Sequence, residues 1–522
     1  MKKSEFNQIV LVILDGWGVA EPVDSNAVWR AKTPYLDDLI ANYPAMLLQA
    51  SGLSVGLPWG EVGNSEVGHL NIGAGFLFYQ SLPRIDKAIE DKSFFKNQWL
   101  IEAVKKVKQN NSRLHILGLL GNGGVHAHER HLAALMEFCQ KNKLKDKVFL
   151  HLFLDGRDTA KDGGQGFMAE TIKTFNDIAQ VASVSGRYYA MDRNDNWDRI
   201  NKAYQAIALG QAEKKYEDPI KAIEESYKQE VYDEEFVPAV ITDKNNEPLA
   251  TIKPEDVVVF YNFRADRARQ LTKAFVDPAF KGFKREYLKG LTFITFTEYE
   301  KNLPVAVMFP AVYIANPLAR VFSLAGLKQF HTAETEKYAH ITFFLNGLQE
   351  EKFPGEDRLL IPSPAVASYN KTPEMSALKV TDGLLKAVNS QKYQFLVVNY
   401  ANPDMVGHTG DLKATIKAIE TVDNCLAKLV PEVLRQNGCL FLVGDHGNAE
   451  ELLNSQTGQI DKEHSTFPVP FIAVSKKWQA DSGQGRDLSA LTPNGVLSDV
   501  APTILKAAGL TAPKEMTGAN LL

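Results

Sequence analysis

Cysteine is scarce in this sequence, and its spacing excludes a disulfide framework. The 522 residues contain three cysteines, Cys139, Cys425 and Cys439, and no CxxC pair. Small secreted domains and structural zinc sites need more thiols, placed closer together. The scarcity is typical of a reducing compartment, and we therefore expect this chain in the cytoplasm.

Long hydrophobic runs are also missing. No stretch approaches the ~20 apolar residues of a membrane-spanning helix. The apolar run Ile9–Leu14 ends at Asp15 and is too short for the hydrophobic region of a signal peptide. The run predicts a buried strand instead, and we expect no membrane partner.

The chain has no large excess of charge of either sign. It contains 58 lysines and arginines against 63 aspartates and glutamates, for a net charge of -5. Domains that bind nucleic acid are usually basic, so we expect no nucleic-acid partner. The balance still allows a local basic pocket for a small anion.

What the sequence does have is a series of short, continuous apolar runs separated by helix-like stretches. Continuous runs indicate strands buried on both faces, as in parallel sheets covered by helices. We therefore predict an α/β chain with mostly parallel sheets. The charged segment 211–236 is predicted to be a solvated, helix-like face. The predicted strands lie at 8–14, 113–120, 147–154, 257–263, 291–296, 395–400 and 439–444.

Three of these predicted strands lead into carboxylate or imidazole side chains. Asp15 follows the first strand, Asp404 and His408 follow 395–400, and Asp445 and His446 follow 439–444. Ligands of open α/β sheets bind beyond the carboxyl ends of strands. One aspartate at a strand end often just forms a turn, but three cases predict a shared site.

The positions of these residues predict an inserted domain. For Asp15 to meet residues 404–464, the amino-terminal strand must join a sheet built by the carboxy-terminal part of the chain. The segment between them has strands of its own and is expected to fold separately. We predict one domain from 1–80 and 310–522, interrupted by a second from 81–309.

The candidate ligands combine carboxylate with imidazole and include no thiolate. Such sets suit Mn²⁺ or Zn²⁺ in a catalytic site. Six side chains are too many for one ion with an open position, but they fit two ions. The six are Asp15, Asp404, His408, Asp445, His446 and His464.

Ser65 lies in the glycine-rich stretch "GEVGNSEVGHLNIGAG" at 60–75. One interpretation is structural: Ser65 caps a helix and the glycines turn the chain. The other is chemical: a serine beside two metals is an activated nucleophile for phosphoryl transfer. In that case the glycines let backbone N–H groups approach a phosphate, at the positive end of a helix.

Seven segments, in order along nearly the whole chain, resemble the cofactor-independent phosphoglycerate mutases. The resemblance implies an alkaline-phosphatase-like metal domain with a mostly parallel sheet, interrupted by an inserted α/β domain that binds substrate. It also implies interconversion of 2- and 3-phosphoglycerate without 2,3-bisphosphoglycerate. The segments are "LDGWG" (14–18), "GNSEVGHLNIGAG" (63–75), "HLFLDGRDT" (151–159), "NFRADRARQ" (262–270), "ETEKYAHITFF" (334–344), "NYANPDMVGHTG" (399–410) and "DHGNAE" (445–450).

The resemblance also implies roles for residues. Ser65 carries the phosphoryl group as a transient phosphoserine, and two Mn²⁺ ions, or other divalent metals, bind beside it. One ion is held by Asp15, Ser65, Asp445 and His446, and the other by Asp404, His408 and His464. The implied substrate-binding residues are His126, Arg157, Asp158, Arg187, Arg193, Arg264, Arg267 and Lys337. Arginine forks suit the phosphate and carboxylate of a phosphoglycerate.

The sequence departs from the family pattern at Phe76, where arginine is usual, at Phe467, where asparagine is usual, and at Val443–Gly444. None of these removes an implied ligand. Two alternatives stay open: a phosphomonoesterase or another mutase of the same superfamily, and a non-enzymatic metal-binding scaffold. The arginines favour the phosphoglycerate mutase. We expect a monomer acting on a small-molecule substrate.

Overall fold

The computed structural model describes residues 5–454, 457–479 and 487–522. The chain forms two compact units. The first unit comprises Met1–Gln80 and Tyr313–Leu522, and the second unit comprises Ser81–Val312. The chain therefore leaves the first unit after residue 80 and returns at 313, where the sequence predicted 80 and 310. The functional roles assigned to the two domains stay predictions.

The strands alternate with helices along most of the chain, which confirms the predicted α/β class. All seven predicted strands are present, although the fourth ends at Phe260, three residues before its predicted end. The strands are β1 (Ile9–Leu14), β2 (Ala45–Gln49), β3 (Leu114–Leu120), β4 (Val148–Leu154), β5 (Ala179–Gly186), β6 (Lys214–Tyr216), β7 (Ala239–Ile241), β8 (Val257–Phe260), β9 (Thr292–Thr295), β10 (Ala306–Val307), β11 (Gln329–Glu334), β12 (Glu356–Ile361), β13 (Phe395–Tyr400), β14 (Cys439–Gly444), β15 (Val469–Val474) and β16 (Gly495–Val496).

The helices range from one turn to the 24 residues of the longest. In the part of the chain that the structure describes, none is long and apolar enough to cross a bilayer. The helices are α1 (Ala27–Arg30), α2 (Pro34–Asn42), α3 (Ser65–Ala74), α4 (Ser81–Glu90), α5 (Gln98–Gln109), α6 (Glu129–Lys141), α7 (Gly164–Phe175), α8 (Arg187–Ala190), α9 (Trp197–Tyr204), α10 (Pro219–Lys228), α11 (Ala265–Val276), α12 (Leu318–Leu324), α13 (Ala377–Asn389), α14 (Asn402–Gly407), α15 (Leu412–Arg435) and α16 (Val500–Ala507).

The sheet of the first unit has the strand order β12-β11-β13-β1-β14-β15-β2-β16. The five strands from β12 to β14 are parallel, and β15 is antiparallel to both of its neighbours. Leu14 is in register with Tyr400 on one side and with Gly444 on the other. The chain therefore leaves β1, β13 and β14 at the same edge, which is where the candidate ligands follow.

The central strand β1 explains the continuous apolar runs. Its residues Val10, Val12 and Leu14 pack into a core with α13 and α15, while Ile9, Leu11 and Ile13 pack into a second core with α12 and α16. Because side chains alternate along a strand, a strand covered on both faces needs apolar residues at every position.

The sheet of the second unit has the order β10-β9-β8-β3-β4-β5-β7-β6, and the strands from β10 to β5 are parallel. Leu120, Leu154 and Gly186 are in register across β3, β4 and β5. The loops that follow these three strands therefore leave from one edge of the sheet.

The prediction of a solvated helical face over 211–236 is partly wrong. The segment forms β6, α10 and a loop. Its residues Ala222, Ile223, Asp233 and Phe236 are buried. Charge composition could not reveal that Asp233, a charged residue, lies in the interior.

Candidate active site

A cluster of charged and imidazole side chains lies at the carboxyl edge of the first sheet. Asp15 follows β1, Asp404 lies in α14 after β13, and Asp445 follows β14 directly. Ser65 begins α3, and Lys337 lies in a short 3₁₀ turn after β11. We call this the carboxylate–imidazole cluster; its members are Asp15, Ser65, Lys337, Asp404, His408, Asp445, His446 and His464.

Ser65 is in the centre of this cluster. Its Oγ lies 2.9 Å from His446 Nε2 and 3.3 Å from Asp15 Oδ1, and it accepts a hydrogen bond from Lys337 Nζ at 2.7 Å. The helix cap that one interpretation assigned to Ser65 belongs to Asn64, whose side chain accepts from the N–H of Val67. Ser65 is the first residue of the helix, and its hydroxyl contacts the cluster instead of capping the helix.

The glycines after Ser65 also serve packing. A Cβ on Gly68 would lie 2.5 Å from the carbonyl oxygen of Asp445. Only glycine lets the first turn of α3 approach the end of β14 so closely. This contact holds Ser65 against the turn that carries Asp445 and His446.

Lys337 is the buried cation of the cluster. Its Nζ lies 2.5 Å from Asp15 Oδ1 and 2.6 Å from Asp404 Oδ2, and its side chain is 4% exposed. Burial by itself would lower the pKa of Lys337, but the carboxylates of Asp15, Asp404 and Asp445 raise that pKa well above its usual value. The resemblance assigned Lys337 to substrate binding, and the structure places it beside the predicted metal ligands and Ser65.

Lys337 acts in return on the carboxylates. Burial would raise the pKa of Asp15 and Asp404, but the ammonium of Lys337 holds both pKa values well below the usual range. For His446, burial would lower the pKa, but the carboxylate of Asp445 and a hydrogen bond with Asp15 raise it to about 9. Asp15 and Asp404 are therefore ionised at neutral pH, although both are buried.

The donor atoms of the cluster suit divalent metals. His408 and His464 bind backbone carbonyls through Nδ1, at 2.7 and 2.8 Å, so each turns Nε2 inward. The two Nε2 atoms lie 3.1 Å apart, and 3.3 and 3.2 Å from Asp404 Oδ1. Backbone acceptors orient metal-binding histidines in this way.

A buried oxygen supports the same conclusion. Asp445 Oδ2 accepts no hydrogen bond from the described residues, although two imidazoles lie 3.2 and 3.6 Å from it. A buried carboxylate oxygen without a hydrogen bond is costly unless a cation neutralises it. The potential ligand atoms of Asp404, His446 and His464 lie within 4.8 Å of one another, as do those of Asp15, His69 and Asp445. The division of the ligands between two ions stays a prediction.

His69 and Asn399 are buried members of the site that the sequence did not assign. His69 Nδ1 donates to the Ser65 carbonyl at 2.8 Å and lies 3.2 Å from Asp445 Oδ2. Asn399 Nδ2 donates to His69 Nε2 at 3.0 Å and to Asp15 Oδ2 at 2.6 Å. Both nitrogens of His69 are therefore engaged within the site, and His69 links the Ser65 backbone to Asn399.

The other predicted substrate-binding residues all lie in the second unit. His126 follows β3, Arg157 and Asp158 follow β4, and Arg187 begins α8 directly after β5. Arg264 and Arg267 lie at the start of α11, after β8. We call this the arginine cluster; its members are His126, Arg157, Asp158, Arg187, Arg193, Arg264 and Arg267.

One half of the arginine cluster is organised by Asp155. Arg187 Nη1 donates to Asp155 Oδ1 at 2.5 Å and to Asp158 Oδ2 at 2.6 Å. Asp155 Oδ1 also accepts from the backbone N–H groups of Arg157 and Asp158. Burial would lower the pKa of Arg187, but these two carboxylates raise it. Asp155 was not predicted, although it directly follows β4 as Asp15 follows β1.

The other half is organised by Asp266. Arg193 Nη1 lies 2.9 Å from Asp266 Oδ2, and Arg264 Nε lies 3.2 Å from Asp266 Oδ1. His126 is buried, and its Nδ1 lies 3.7 Å from Asp266 Oδ1. Burial, reinforced by the positive charge of Arg187, lowers the pKa of His126 to about 4, so this imidazole is neutral at pH 7.

Phe76 and Phe467 have structural environments in the first unit. Phe76 packs with Phe78 against Leu70, Ala74 and Ile314. Phe467 is partly buried, and its N–H donates to Oγ of the loop residue Ser465 at 3.2 Å. Phe76 therefore covers the carboxyl-terminal turn of α3, which explains an apolar residue there.

Comparison with known proteins gives two family models that match different parts of the chain. One, described as BPG-independent PGAM N-terminus, matches residues 85–301, and the other, described as type I phosphodiesterase / nucleotide pyrophosphatase, matches residues 333–467. Together with the two sheets, these matches confirm the predicted fold class, an alkaline-phosphatase-like domain interrupted by an inserted α/β domain.

Relatives that match this chain over 98% of its length are named 2,3-bisphosphoglycerate-independent phosphoglycerate mutase. The 2,3-bisphosphoglycerate-independent phosphoglycerate mutase of Chloroflexus aurantiacus is 50% identical over 537 residues, which cover 98% of each chain. That of Clostridium beijerinckii is 50% identical over 517 residues, again with 98% of each chain covered. The structure of Leishmania mexicana phosphoglycerate mutase at low cobalt concentration is 29% identical, with a TM-score of 0.54, and covers 99% of this chain and 98% of its own. This chain therefore belongs to the family of 2,3-bisphosphoglycerate-independent phosphoglycerate mutases, which are isomerases.

Proposed function

We propose that this chain interconverts 2-phosphoglycerate and 3-phosphoglycerate through a phosphoserine at Ser65, with two Mn²⁺ ions and without 2,3-bisphosphoglycerate. The observation that carries the proposal is the environment of Ser65 Oγ. A serine hydroxyl at a helix amino terminus lies against His446 Nε2, Asp15 Oδ1 and Lys337 Nζ. A surface or capping serine has no need of such partners.

Two ions would be held by the side chains already described. One would take Asp15, Ser65, Asp445 and His446, and the other Asp404, His408 and His464. When bound, such ions neutralise phosphate charge and lower the pKa of a hydroxyl beside them. The Leishmania mexicana relative was solved with cobalt, which is consistent with a site for divalent transition metals.

The residues of the first unit account for the phosphoryl transfer. Ser65 Oγ attacks phosphorus, an Oγ–P bond forms, and the ester bond from phosphorus to the glycerate oxygen breaks. Lys337 Nζ, 2.7 Å from Oγ, donates a proton to the departing glycerate oxygen and takes the Ser65 proton in its place, so that the serine proton in effect passes to the leaving group. The other glycerate hydroxyl then attacks the phosphorus of phosphoserine and the Oγ–P bond breaks. The proton of that hydroxyl returns to Ser65 Oγ through the same relay at Lys337.

The residues of the second unit account for substrate binding. A phosphoglycerate carries a phosphate and a carboxylate, and guanidinium groups bind both through paired hydrogen bonds. Arg157, Arg193, Arg264 and Arg267 would bind these anions, and Arg187 would bind them while held by Asp155 and Asp158. His126 is neutral at pH 7 and is suited to bind or orient a hydroxyl group.

We further propose that the chain acts as a monomer in the cytoplasm, with the phosphoglycerate as its partner. The scarcity of cysteine supports this location. A chain of 58.0 kDa should elute as a single copy in size-exclusion chromatography with light scattering. A mass of twice that value would contradict the monomer.

One coupled assay tests the proposed reaction. The protein is supplied with Mn²⁺ and 3-phosphoglycerate, 2,3-bisphosphoglycerate is omitted, and 2-phosphoglycerate and free phosphate are both measured. We expect 2-phosphoglycerate as the main product and ³²P on Ser65 after acid quenching with labelled substrate. Free phosphate as the main product would favour a phosphomonoesterase, and neither product would favour a scaffold.

A further inference from the structure

A loop that the proposed function does not use lies against the arginine cluster. It follows α10 and comprises residues 233–236, which we call the support segment. Asp233 and Phe236 are buried, Glu234 is partly buried and Glu235 is exposed. A fully buried aspartate outside the two clusters needs a reason, because burying a carboxylate is costly unless its partners are well placed.

The support segment binds the loop between β4 and α7, which carries Arg157 and Asp158. Asp233 Oδ2 accepts from the N–H of Gly164 at 2.7 Å, and the Asp233 N–H donates to the carbonyl of Lys161 at 3.0 Å. The other carboxylate oxygen accepts a hydrogen bond from the hydroxyl of Tyr227. The end of this loop next to α7 is therefore linked to the support segment.

The support segment also binds the junction between β5 and α8, which carries Arg187. The Glu234 carbonyl accepts from the N–H of Tyr188 at 2.9 Å, and the Phe236 carbonyl accepts from the N–H of Gly186 at 2.7 Å. Glu234 Oε1 lies 3.4 Å from Arg157 Nη1. One short stretch of chain thus contacts the backbone on both sides of Arg187 and the side chain of Arg157.

Two glycines make this close approach feasible. A Cβ on Gly156, where φ is +65°, would lie 2.7 Å from the Glu234 nitrogen, and one on Gly186 would overlap the Glu234 carbonyl. Arg157 and Arg187 each follow one of these glycines directly in sequence. The backbone positions of both arginines are therefore determined by contact with the support segment.

Burial raises the pKa of Asp233 to about 6. The carboxylate is still ionised at pH 7, but its burial costs folding free energy. An apolar side chain would fill the same space without that cost, but it could not accept hydrogen bonds from Gly164 and Tyr227. The carboxylate therefore contributes directional hydrogen bonds rather than packing.

We propose that the support segment positions Arg157 and Arg187 relative to each other, and so sets the affinity for a small substrate with two anionic groups. This inference rests on the proposed function, in which these arginines bind the substrate. Asp233 is a positioning residue, since it acts through the two loops and touches neither arginine's guanidinium.

The test compares Asp233→Asn with Glu235→Gln. Both remove one negative charge from the same loop, but Glu235 is exposed. For Asp233→Asn we expect KM for 3-phosphoglycerate to rise about tenfold, with kcat within about twofold, because lost alignment weakens ground-state and transition-state binding alike. Calorimetric titration of the metal-free protein with 3-phosphoglycerate should show about the same tenfold loss of affinity. Glu235→Gln should match the parent protein in all three quantities.

The outcomes separate this inference from the proposed function. An unchanged KM and affinity in Asp233→Asn, with a lowered unfolding temperature, would show a merely structural role and overturn the inference. If Asp233→Asn does not fold, Tyr227→Phe decides, since it removes one donor to Asp233 and should raise KM about threefold; an unchanged KM there overturns the inference. If Arg187→Ala binds 3-phosphoglycerate as the parent does, the proposed substrate site itself is wrong.

Discussion

The two clusters place charge in opposite environments. In the carboxylate–imidazole cluster, Asp15, Asp445 and His446 are 0% exposed. In the arginine cluster, the side chains of Arg157, Arg193 and Arg264 are 57, 47 and 52% exposed. Charges in a buried site interact strongly, and water cannot solvate a charge there that has lost its partner. Exposed ion pairs, in contrast, are weakened by solvent and salt. We therefore expect substitutions to have large, cooperative effects in the first cluster and moderate, separable effects in the second.

The largest effect should follow from removing the nucleophile. Ser65→Ala is expected to lower both isomerisation and phosphate-ester cleavage by about 10⁴-fold or more, because the proposed reaction passes the phosphoryl group through Ser65 Oγ. Steady-state kinetics with 3-phosphoglycerate measures the loss, and Ser54→Ala, in the same unit, is the control. Substantial isomerisation by the Ser65 variant would rule out the covalent mechanism.

The second effect concerns the buried cation. Lys337→Met leaves Asp15 and Asp404 without their ammonium partner, and removing one member of a buried ion pair costs about 3–5 kcal/mol of unfolding free energy. Arg193→Met, which breaks an exposed pair with Asp266, should cost less than about 1 kcal/mol. Urea unfolding in the presence of a chelator measures both.

Added Mn²⁺ should reduce the destabilisation in Lys337→Met, since a bound cation supplies the missing positive charge. Added Mn²⁺ should not change the difference in unfolding free energy between Arg193→Met and the parent protein. Equal costs for the two variants without metal would show that burial does not distinguish the clusters in the way we infer.

A smaller effect is expected for one exposed arginine. Arg264→Ala should raise KM for 3-phosphoglycerate about tenfold through loss of a charge-assisted hydrogen bond, with little change in kcat or stability. Arg269→Ala on the same helix, whose side chain donates to the Tyr299 carbonyl, is the matched control. A loss confined to kcat would assign Arg264 to the chemical step and not to binding.

The last expected effect is a difference between the two units in how their stability depends on pH. Burial lowers the pKa of His115 and His151 in the second sheet, where the two imidazoles are 3.0 Å apart. Below the usual value of 6.5 the unfolded chain binds protons that the folded unit does not, so the stability of the second unit falls as pH falls, by up to about 1.4 kcal/mol per pH unit for each histidine.

His446 in the metal-free first unit behaves in the opposite way. Its pKa of about 9 gives stability that is complete below 6.5 and is lost as pH rises through 9. Hydrogen exchange of the backbone amides of β4 and β14, measured between pH 5.5 and 9, reports the stability of the second and the first unit separately. Replacing His151 with Asn should flatten the acid response of β4 alone, and an unchanged response would assign it to other groups.

Much of the first cluster was predictable because its signals are local. Continuous apolar runs identify buried strands, and Asp15, Asp404 and Asp445 stand just beyond three of them. The arginines carried no such signal, since an arginine in a loop is usually just solvated, and their assignment depended on the resemblance to a family. Asn399 and Asp233 escaped prediction because their side chains bind partners distant in sequence. Asp155 and Asp266 also have partners nearby in sequence, but their ion pairs with Arg187 and Arg193 join residues far apart in the chain.

The sequence by itself determined which segments become strands and that aspartate or histidine side chains follow the carboxyl ends of three of them. Continuous apolar runs and the positions of ionisable residues can be read from the local sequence. Only the tertiary structure decided that Lys337 neutralises Asp15 and Asp404, that Asn64 rather than Ser65 caps α3, and that Asp233 lies beneath the loops of Arg157 and Arg187. Burial and hydrogen bonding depend on the strand order and register, which bring together residues far apart in the chain, and composition does not specify them.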